Sequence, residues 1–300
     1  MGGVTLGGVF IWGAVVAAGT AFFINTVLEM GVYFFTGSEK ASEMATDSVI
    51  APVVEEILKG FAVLTVYLVF RREFDSILDG IVYAGVAALG FAATENVYYI
   101  YSYGYQAGGY PELLWLVFVR VVLVGWQDPF YTAFTGIDLA ITRLSRNRLV
   151  QLAAPPAGLL AAILTHSFHN TVANLATGLE GMAAGTLSDW TGWFFMFLII
   201  LWATNREQRQ IVEELKEEVT RGLITPFQYQ TASSAWSQSS ARLGALLSGH
   251  YTLTSHFYQT CTELAHKKHQ WATLGEEGGN SAIIERLRGE LARLPAQLPR

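Results

Sequence analysis

Six long apolar stretches dominate the first two thirds of the chain: residues 7–34, 49–70, 78–101, 113–140, 149–175 and 189–204. A helix needs about 20 mostly apolar residues to cross about 30 Å of hydrocarbon. Backbone groups in lipid must bond within their own segment. The stretches are far longer than the strands of a membrane barrel, so the pattern predicts membrane-spanning helices. The sixth stretch is short for a full crossing, which argues for a start upstream of residue 189. No basic segment precedes the first stretch, and it is too long for the apolar part of a signal peptide, so no cleaved leader is expected.

After residue 204 the pattern takes on the helical period of an amphipathic surface. In 205–222, Ile211, Leu215 and Val219 recur every fourth position and Gly222 offers a stop. Pro226 opens a second segment, and 251–275 and 280–294 predict two more helices. The expected fold class is all-α. A polytopic transmembrane helical bundle of about six spans (1–204) precedes a C-terminal cytoplasmic helical domain (205–300).

Charge follows the same division. Residues 1–204 hold 8 Lys/Arg and 15 Asp/Glu, whereas the 96 residues of 205–300 hold 11 and 10. The whole chain is 52% hydrophobic and 15% charged, against about 25% charge in a soluble domain. Disorder and an ordinary soluble enzyme are both disfavoured. The single Cys261 excludes a disulfide framework and a Cys-based zinc site. A net charge of −6 speaks against a nucleic-acid partner.

Basic residues fall on alternate loops. Arg71 and Arg72, then Arg143, Arg146 and Arg148, then Arg206 and Arg209 share one side, while the opposite loops offer only Lys40. The positive-inside rule puts both termini in the cytoplasm. Tyr98, Tyr99, Tyr101, Tyr103 and Tyr105 then mark the outer interface. Glu29 and Glu112 read as interfacial, and Asp79-Gly80 as a cap or loop anchor. The run His266-Lys267-Lys268-His269 reads as the solvated face of a charged helix, with a membrane-surface or partner contact as the alternative.

Ionisable residues inside the spans carry the chemistry, because each costs at least about 2.5–3.5 kcal/mol at mid-bilayer unless it pairs or lines a wet cavity. Glu55, Glu56 and Lys59 lie in the second stretch, Glu95 and Asn96 in the third, Arg120 and Asp128 in the fourth, and His166, His169 and Asn170 in the fifth. Their expected depths overlap at about 9–22 Å below the outer surface, counted at 1.5 Å per residue. Glu55 shares a helix face with Lys59, and His166 with Asn170. Glu55 and Glu56 are about 100° apart and cannot both point at one centre. Carboxylates beside an imidazole and an amide suit hydrolysis, through a general base, a Zn²⁺-like ion and an oxyanion donor.

Plainer readings stand beside this one. Glu55, Glu56 and Lys59 can form a bare interhelical ion pair, Glu95-Asn96 can act as hydrogen-bonding glue, and His166 and His169 can be packing residues. Arg120 either snorkels to the surface or neutralises acid near the site. A proton-coupled transporter or channel is the alternative from a different class. It predicts an internal repeat and a polar path across the membrane; no repeat is present, and the inner half of the spans is nearly free of ionisable groups.

The same residues fall in motifs that resemble the PrsW family of intramembrane proteases, relatives of the CAAX-protease and Abi group. The matching pieces are APVVEEILKG (E-E-x-x-K), Phe91 to Asn96 (F-x-x-x-E-N), Arg120 with PFYTAFTGI, and His166 to Asn170 (H-x-x-x-N). They cover about residues 8–175 in order. The resemblance implies a peptidase in the bacterial cell membrane that depends on a divalent metal, Zn²⁺ first. Its partners would be membrane-anchored proteins, such as anti-sigma factors, cut on the extracytoplasmic side; a homo-oligomer stays open. Glu55 and Glu56 are implied as the essential pair, with Asn170 as oxyanion donor. Glu95 and His166 are implied as metal or water ligands; the residues themselves add Asp128 as a further candidate ligand, with Lys59, Asn96 and Arg120 around them.

One position departs. The family carries His directly before P-x-[FY]-T, and GWQDPFYTAFTG has Asp128 there. A carboxylate can ligate Zn²⁺, but it changes ligand charge and reach. A natural ligand swap, an inactive homologue that binds the same clients as a scaffold and lacks the metal, and an engineered inactivating change all fit. Family members often carry extra spans before this region, so removal of such spans is one reading of the abrupt MGGVTLGG start.

Overall fold

The computed structural model describes residues 3–71, 74–175 and 178–294, and every element in them is helical. Arg72 of the basic pattern lies outside the described residues. The chain forms two compact units, Met1–Ile199 and Ile200–Arg300.

The first unit begins with α1 (Gly3–Thr36). Ser38 Oγ accepts from Ala41 N at 3.3 Å and starts α2 (Glu39–Ala45). A wider turn, Thr46–Ile50, leads into α3 (Ala51–Val69), with Pro52 in its first turn, where a missing N–H costs nothing. A reciprocal cap starts α4 (Ile77–Tyr99): Ser76 Oγ accepts from Asp79 N at 3.2 Å, and Asp79 Oδ2 accepts from Ser76 N at 2.7 Å. Asp79 is thus a cap, as its position suggests.

The expected outer loop 102–112 is mostly helical. Ile100–Tyr105 continues α4, α5 (Gln106–Val117) packs back against that segment, and the reversal sits at Gly109. Its backbone there (φ 69°, ψ −151°) is open to glycine and closed to residues with a Cβ. Next come α6 (Gln127–Leu144), α7 (Arg148–Leu175) and α8 (Gly178–Thr220).

Among the described residues, four helices are long and apolar enough to cross a membrane: Gly3–Thr36, Ile77–Leu144, Arg148–Leu175 and Gly181–Thr220. The expectation of six spans differs for two reasons. The third and fourth stretches fall within Ile77–Leu144, which reverses at Gly109. The second, α3, holds Glu55, Glu56 and Lys59 among its 19 residues and loses its apolar character to them. The sixth helix begins before residue 189, as its shortness required.

Small residues bring these helices together, since lipid tails offer no hydrophobic drive for helix association. Ala84, Ala87, Ala88, Ala133, Ala140 and Ala162 are buried, while Phe22, Phe23, Phe194 and Phe195 are exposed. Gly80 of α4 and Gly136 of α6 touch backbone to backbone; a Cβ on either would run into the other's carbonyl oxygen. Trp12 of α1 donates to the Leu58 carbonyl of α3 at 3.1 Å.

The second unit contains the end of α8 with α9 (Pro226–Ala232), α10 (Ala235–Leu247), α11 (Tyr251–Leu274) and α12 (Asn280–Arg293). Its core is Ile211, Leu215, Phe257, Cys261, Leu264, Leu287 and Leu291. Burial pushes the Cys261 thiol up to about 12, so it is an inert packing group.

The solvated-face reading of His266–His269 is corrected here. Lys267 and Lys268 are buried. Lys268 Nζ reaches Glu217 at 2.9 Å and Glu218 at 2.8 Å, His266 meets Glu207 at 3.1 Å, and His269 meets Glu214 at 3.4 Å. The reason is that α11 packs against neighbours on more than one side, the carboxylates of α8 meet Lys268, and Gln270 accepts from Lys267 at 3.2 Å. Arg288 Nη2 also reaches the fully buried Glu218, at 2.8 Å.

Hydrogen bonds from Lys268 and Arg221 bring the Glu217 carboxyl down to about 2. Burial opposes ionisation of Glu218, yet Arg288 and Lys268 still hold it below its ordinary value. A depressed carboxylate stabilises the fold above its unfolded pKa, and that contribution fades as pH falls toward the folded value. Hydrogen exchange around Glu218, Lys268 and Arg288 in the full chain, corrected for intrinsic rates, should therefore quicken between about pH 5 and pH 3. Exchange that stays flat over that range would deny the network a stabilising role.

Candidate active site

Helix α3 places three ionisable side chains on adjoining faces, and each finds partners on other elements. Glu56 is fully buried and saturated with donors. Its Oε1 lies 3.1 Å from Lys59 Nζ and 3.0 Å from His166 Nδ1, and its Oε2 accepts from Thr132 Oγ1 at 2.8 Å. An ionised carboxylate only accepts, so His166 donates to Glu56 through Nδ1 and turns Nε2 toward Glu55. Tyr131 stacks on the imidazole with centroids 4.8 Å apart and planes 19° apart.

Glu55 faces the same space. Its Oε2 is 4.0 Å from His166 Nε2 and 3.7 Å from Lys59 Nζ, and its Oε1 accepts from Asn25 of α1 at 3.3 Å. Lys59 is fully buried, pairs with Asp128 at the start of α6, and lies 4.1 Å from the centre of the Phe91 ring. Glu55, Asp128 and His166 each offer one donor atom, and these atoms lie within 4.8 Å of one another.

Three carboxyls face one ammonium here. With the three carboxyls ionised and Lys59 protonated, the cluster carries two net negative charges among lipid-spanning helices. Two carboxylates and an imidazole suit Zn²⁺, which in catalytic sites takes three protein ligands and keeps a fourth position open.

Glu95 and Arg120 form a neighbouring group. Arg120 Nη2 reaches Glu95 Oε2 at 2.9 Å, its Nε donates to Asn96 Oδ1 at 2.7 Å, and the guanidinium lies 4.2 Å over the Tyr99 ring. Arg120 therefore neutralises acid, the second of its two readings. Glu95, expected as a ligand beside Asp128 and His166, commits its carboxylate to Arg120, and Glu55 takes its place in the donor cluster. Asn170, expected as an oxyanion donor, gives its amide to the Asp47 carbonyl at 2.8 Å.

Four contributors went unnoticed in the sequence. Thr132 lies one turn after Asp128, a spacing that marks it as facing the same way. Tyr131 and Asn25 carry no charge to single them out. Asp189, the fourth, is buried and meets His169 at 2.7 Å and Gln127.

Long apolar helices that gather carboxylates, an imidazole and an ammonium suit a membrane-embedded hydrolase. The chain belongs to the family described as PrsW family intramembrane metalloprotease, which matches residues 4–203. It is 24% identical over 187 residues to the protein named Protease PrsW of Bacillus subtilis (strain 168), an alignment covering 61% of this chain and 76% of that relative. No solved structure matches the chain.

Proposed function

We propose that the chain is a metal-dependent intramembrane peptidase that hydrolyses membrane-anchored proteins of the anti-sigma-factor kind. It would act in a bacterial cell membrane with both termini cytoplasmic. The observation that carries this reading is the convergence of one donor atom each from Glu55, Asp128 and His166 within 4.8 Å of one another. Those three would hold the ion, zinc by the chemistry of the donor set. When bound, it would supply a Lewis acid that brings the pKa of bound water to about 7.

The remaining steps belong to the chain's own side chains. Glu55 turns Oε2 to the cluster and keeps Oε1, held only by the Asn25 amide at 3.3 Å, to take a proton from water and return it to the leaving amine. Glu56 fixes the imidazole by accepting from Nδ1, as outer-sphere carboxylates do for ligating histidines. Lys59, which touches Glu55, Glu56 and Asp128, supplies the cationic donor for the oxyanion of the cleaved amide. Asp128 both donates to the ion and anchors Lys59. Arg120 keeps Glu95 paired, so that carboxylate adds no unbalanced charge beside the cluster.

Metal analysis of the purified chain tests the reading, with His166→Ala and Glu95→Gln alongside. Stoichiometric zinc in the unmodified chain and in Glu95→Gln, lost in His166→Ala together with cleavage of a membrane-anchored reporter, is the expected result. Zinc retained in His166→Ala removes that imidazole from the ligand set. Zinc lost in Glu95→Gln returns Glu95 to the set.

A further inference from the structure

A second polar cluster lies beside the first, and the chemistry above makes no use of it. Asp189 of α8 has a side chain only 3% exposed. Its Oδ1 is 2.7 Å from His169 Nδ1 on α7, and its Oδ2 accepts from Gln127 Nε2 at the start of α6. The Gln127 amide also lies 3.2 Å from His169 Nε2, so the three side chains close on one another. The neighbouring Trp190 donates to the Leu123 carbonyl at 3.2 Å and ties the same stretch of α8 to the segment that enters α6.

Position along the chain gives this cluster its meaning. Gln127 directly precedes Asp128, and His169 lies three residues beyond His166. Tyr131 bridges the clusters, with its ring centre 4.8 Å from that of His166 and 6.2 Å from that of His169. Asp189 thus grips α6 and α7 at the two points from which a carboxylate and an imidazole leave for the donor cluster. A buried carboxylate in a span persists where it pairs, and outer-sphere partners of this kind set the orientation of ligating groups.

We propose that Asp189 is a positioning residue that, through Gln127 and His169, sets the geometry in which Asp128 and His166 present their donor atoms to a divalent ion. The inference rests on the metal-binding reading of the site and adds α8 to the elements that build it. Asp189 touches none of Glu55, Asp128 and His166 directly, so its effect must show in how the ion is held.

Cobalt titration of the full chain in detergent tests this, because the visible absorption of bound Co²⁺ reports both affinity and coordination geometry. The unmodified chain should show an intense low-symmetry band, and His166→Ala should abolish it. Asp189→Ala should bind Co²⁺ about 10- to 100-fold more weakly and with a weaker band. Asp189→Asn, which keeps one acceptor, should fall between. Gln127→Ala, which cuts only one arm, provides the same reading if Asp189→Ala does not fold.

Folded variants with the unmodified affinity and spectrum, even with a lowered thermal midpoint, would make Asp189 a purely structural tie and overturn the proposal. No Co²⁺ band in the unmodified chain would remove the metal reading and this inference with it. A normal band in the unmodified chain and unchanged variants would sink the inference alone.

Discussion

Replacing Glu56 by glutamine should give a folded protein that binds its ion about 10- to 100-fold more weakly, whereas replacing it by alanine should unfold the membrane unit. The difference follows from what surrounds the carboxylate. Lys59 at 3.1 Å, His166 at 3.0 Å and Thr132 at 2.8 Å all approach it in a fully buried place. A glutamine carbonyl can still accept from Lys59 and His166, and its NH₂ can donate to the Thr132 hydroxyl once that hydroxyl rotates. The side chain's shape is kept and only the charge is lost, so the imidazole becomes a weaker ligand. Alanine leaves the Thr132 hydroxyl and the His166 Nδ1 without this acceptor and takes one of three carboxylates from Lys59, and breaking a buried pair in this way costs about 3–5 kcal/mol. Zinc affinity and denaturant titration of both variants check the pair of outcomes. Equal metal affinity in Glu56→Gln and the unmodified chain would detach Glu56 from the ligand sphere.

Exchanging Lys59 for methionine tests the charge balance directly. Glu55, Glu56 and Asp128 all reach Lys59, and without it two buried carboxylates and a half-buried one face one another with no cation between them. In the presence of a chelator the variant should lose about 3–5 kcal/mol of stability. A saturating divalent ion binds only the folded state and should restore much of that loss, by RT ln(1 + [L]/Kd). Cleavage should still fall by about 10²- to 10³-fold, since the oxyanion loses its donor. A stability loss of the same size with and without metal would mean that no cation site adjoins Lys59.

Relations along one helix were legible in the sequence, and relations between helices much less so. The spacing of Glu55, Glu56 and Lys59 specifies their mutual geometry because an α-helix repeats every 3.6 residues. Depth in the bilayer is also countable, which is why the ionisable groups were expected at one level. Rotation about each helix axis is not countable. Glu95 sits at a suitable depth, yet α4 turns it toward Arg120; Asn170 shares a face with His166, yet its amide goes to the Asp47 carbonyl. Asp189 stood at the edge of a short apolar stretch with no second acidic or imidazole group nearby in sequence. Its partners, Gln127 and His169, lie 62 and 20 positions away. In the second unit, α11 carries charges at positions that a helix packed on one side would leave in water. Lys268 is buried because α8 supplies Glu217 and Glu218 to meet it, a complementarity that neither segment displays alone.

The glycine contact between α4 and α6 bears on how a polypeptide could reach the carboxylates. At Gly80 and Gly136 no side chain separates the two backbones, so that end of the pair acts as a weld. At the other end of α4, Glu95 and Asn96 are held not by α6 but by Arg120, a guanidinium about one quarter exposed on the segment that precedes it. The expected opening is therefore lopsided, with a stiff root at the glycines and a yielding tip at the ion pair. An unwinding peptide would prise the helices apart from the Arg120 end, as a blade enters shears at the point and not at the rivet.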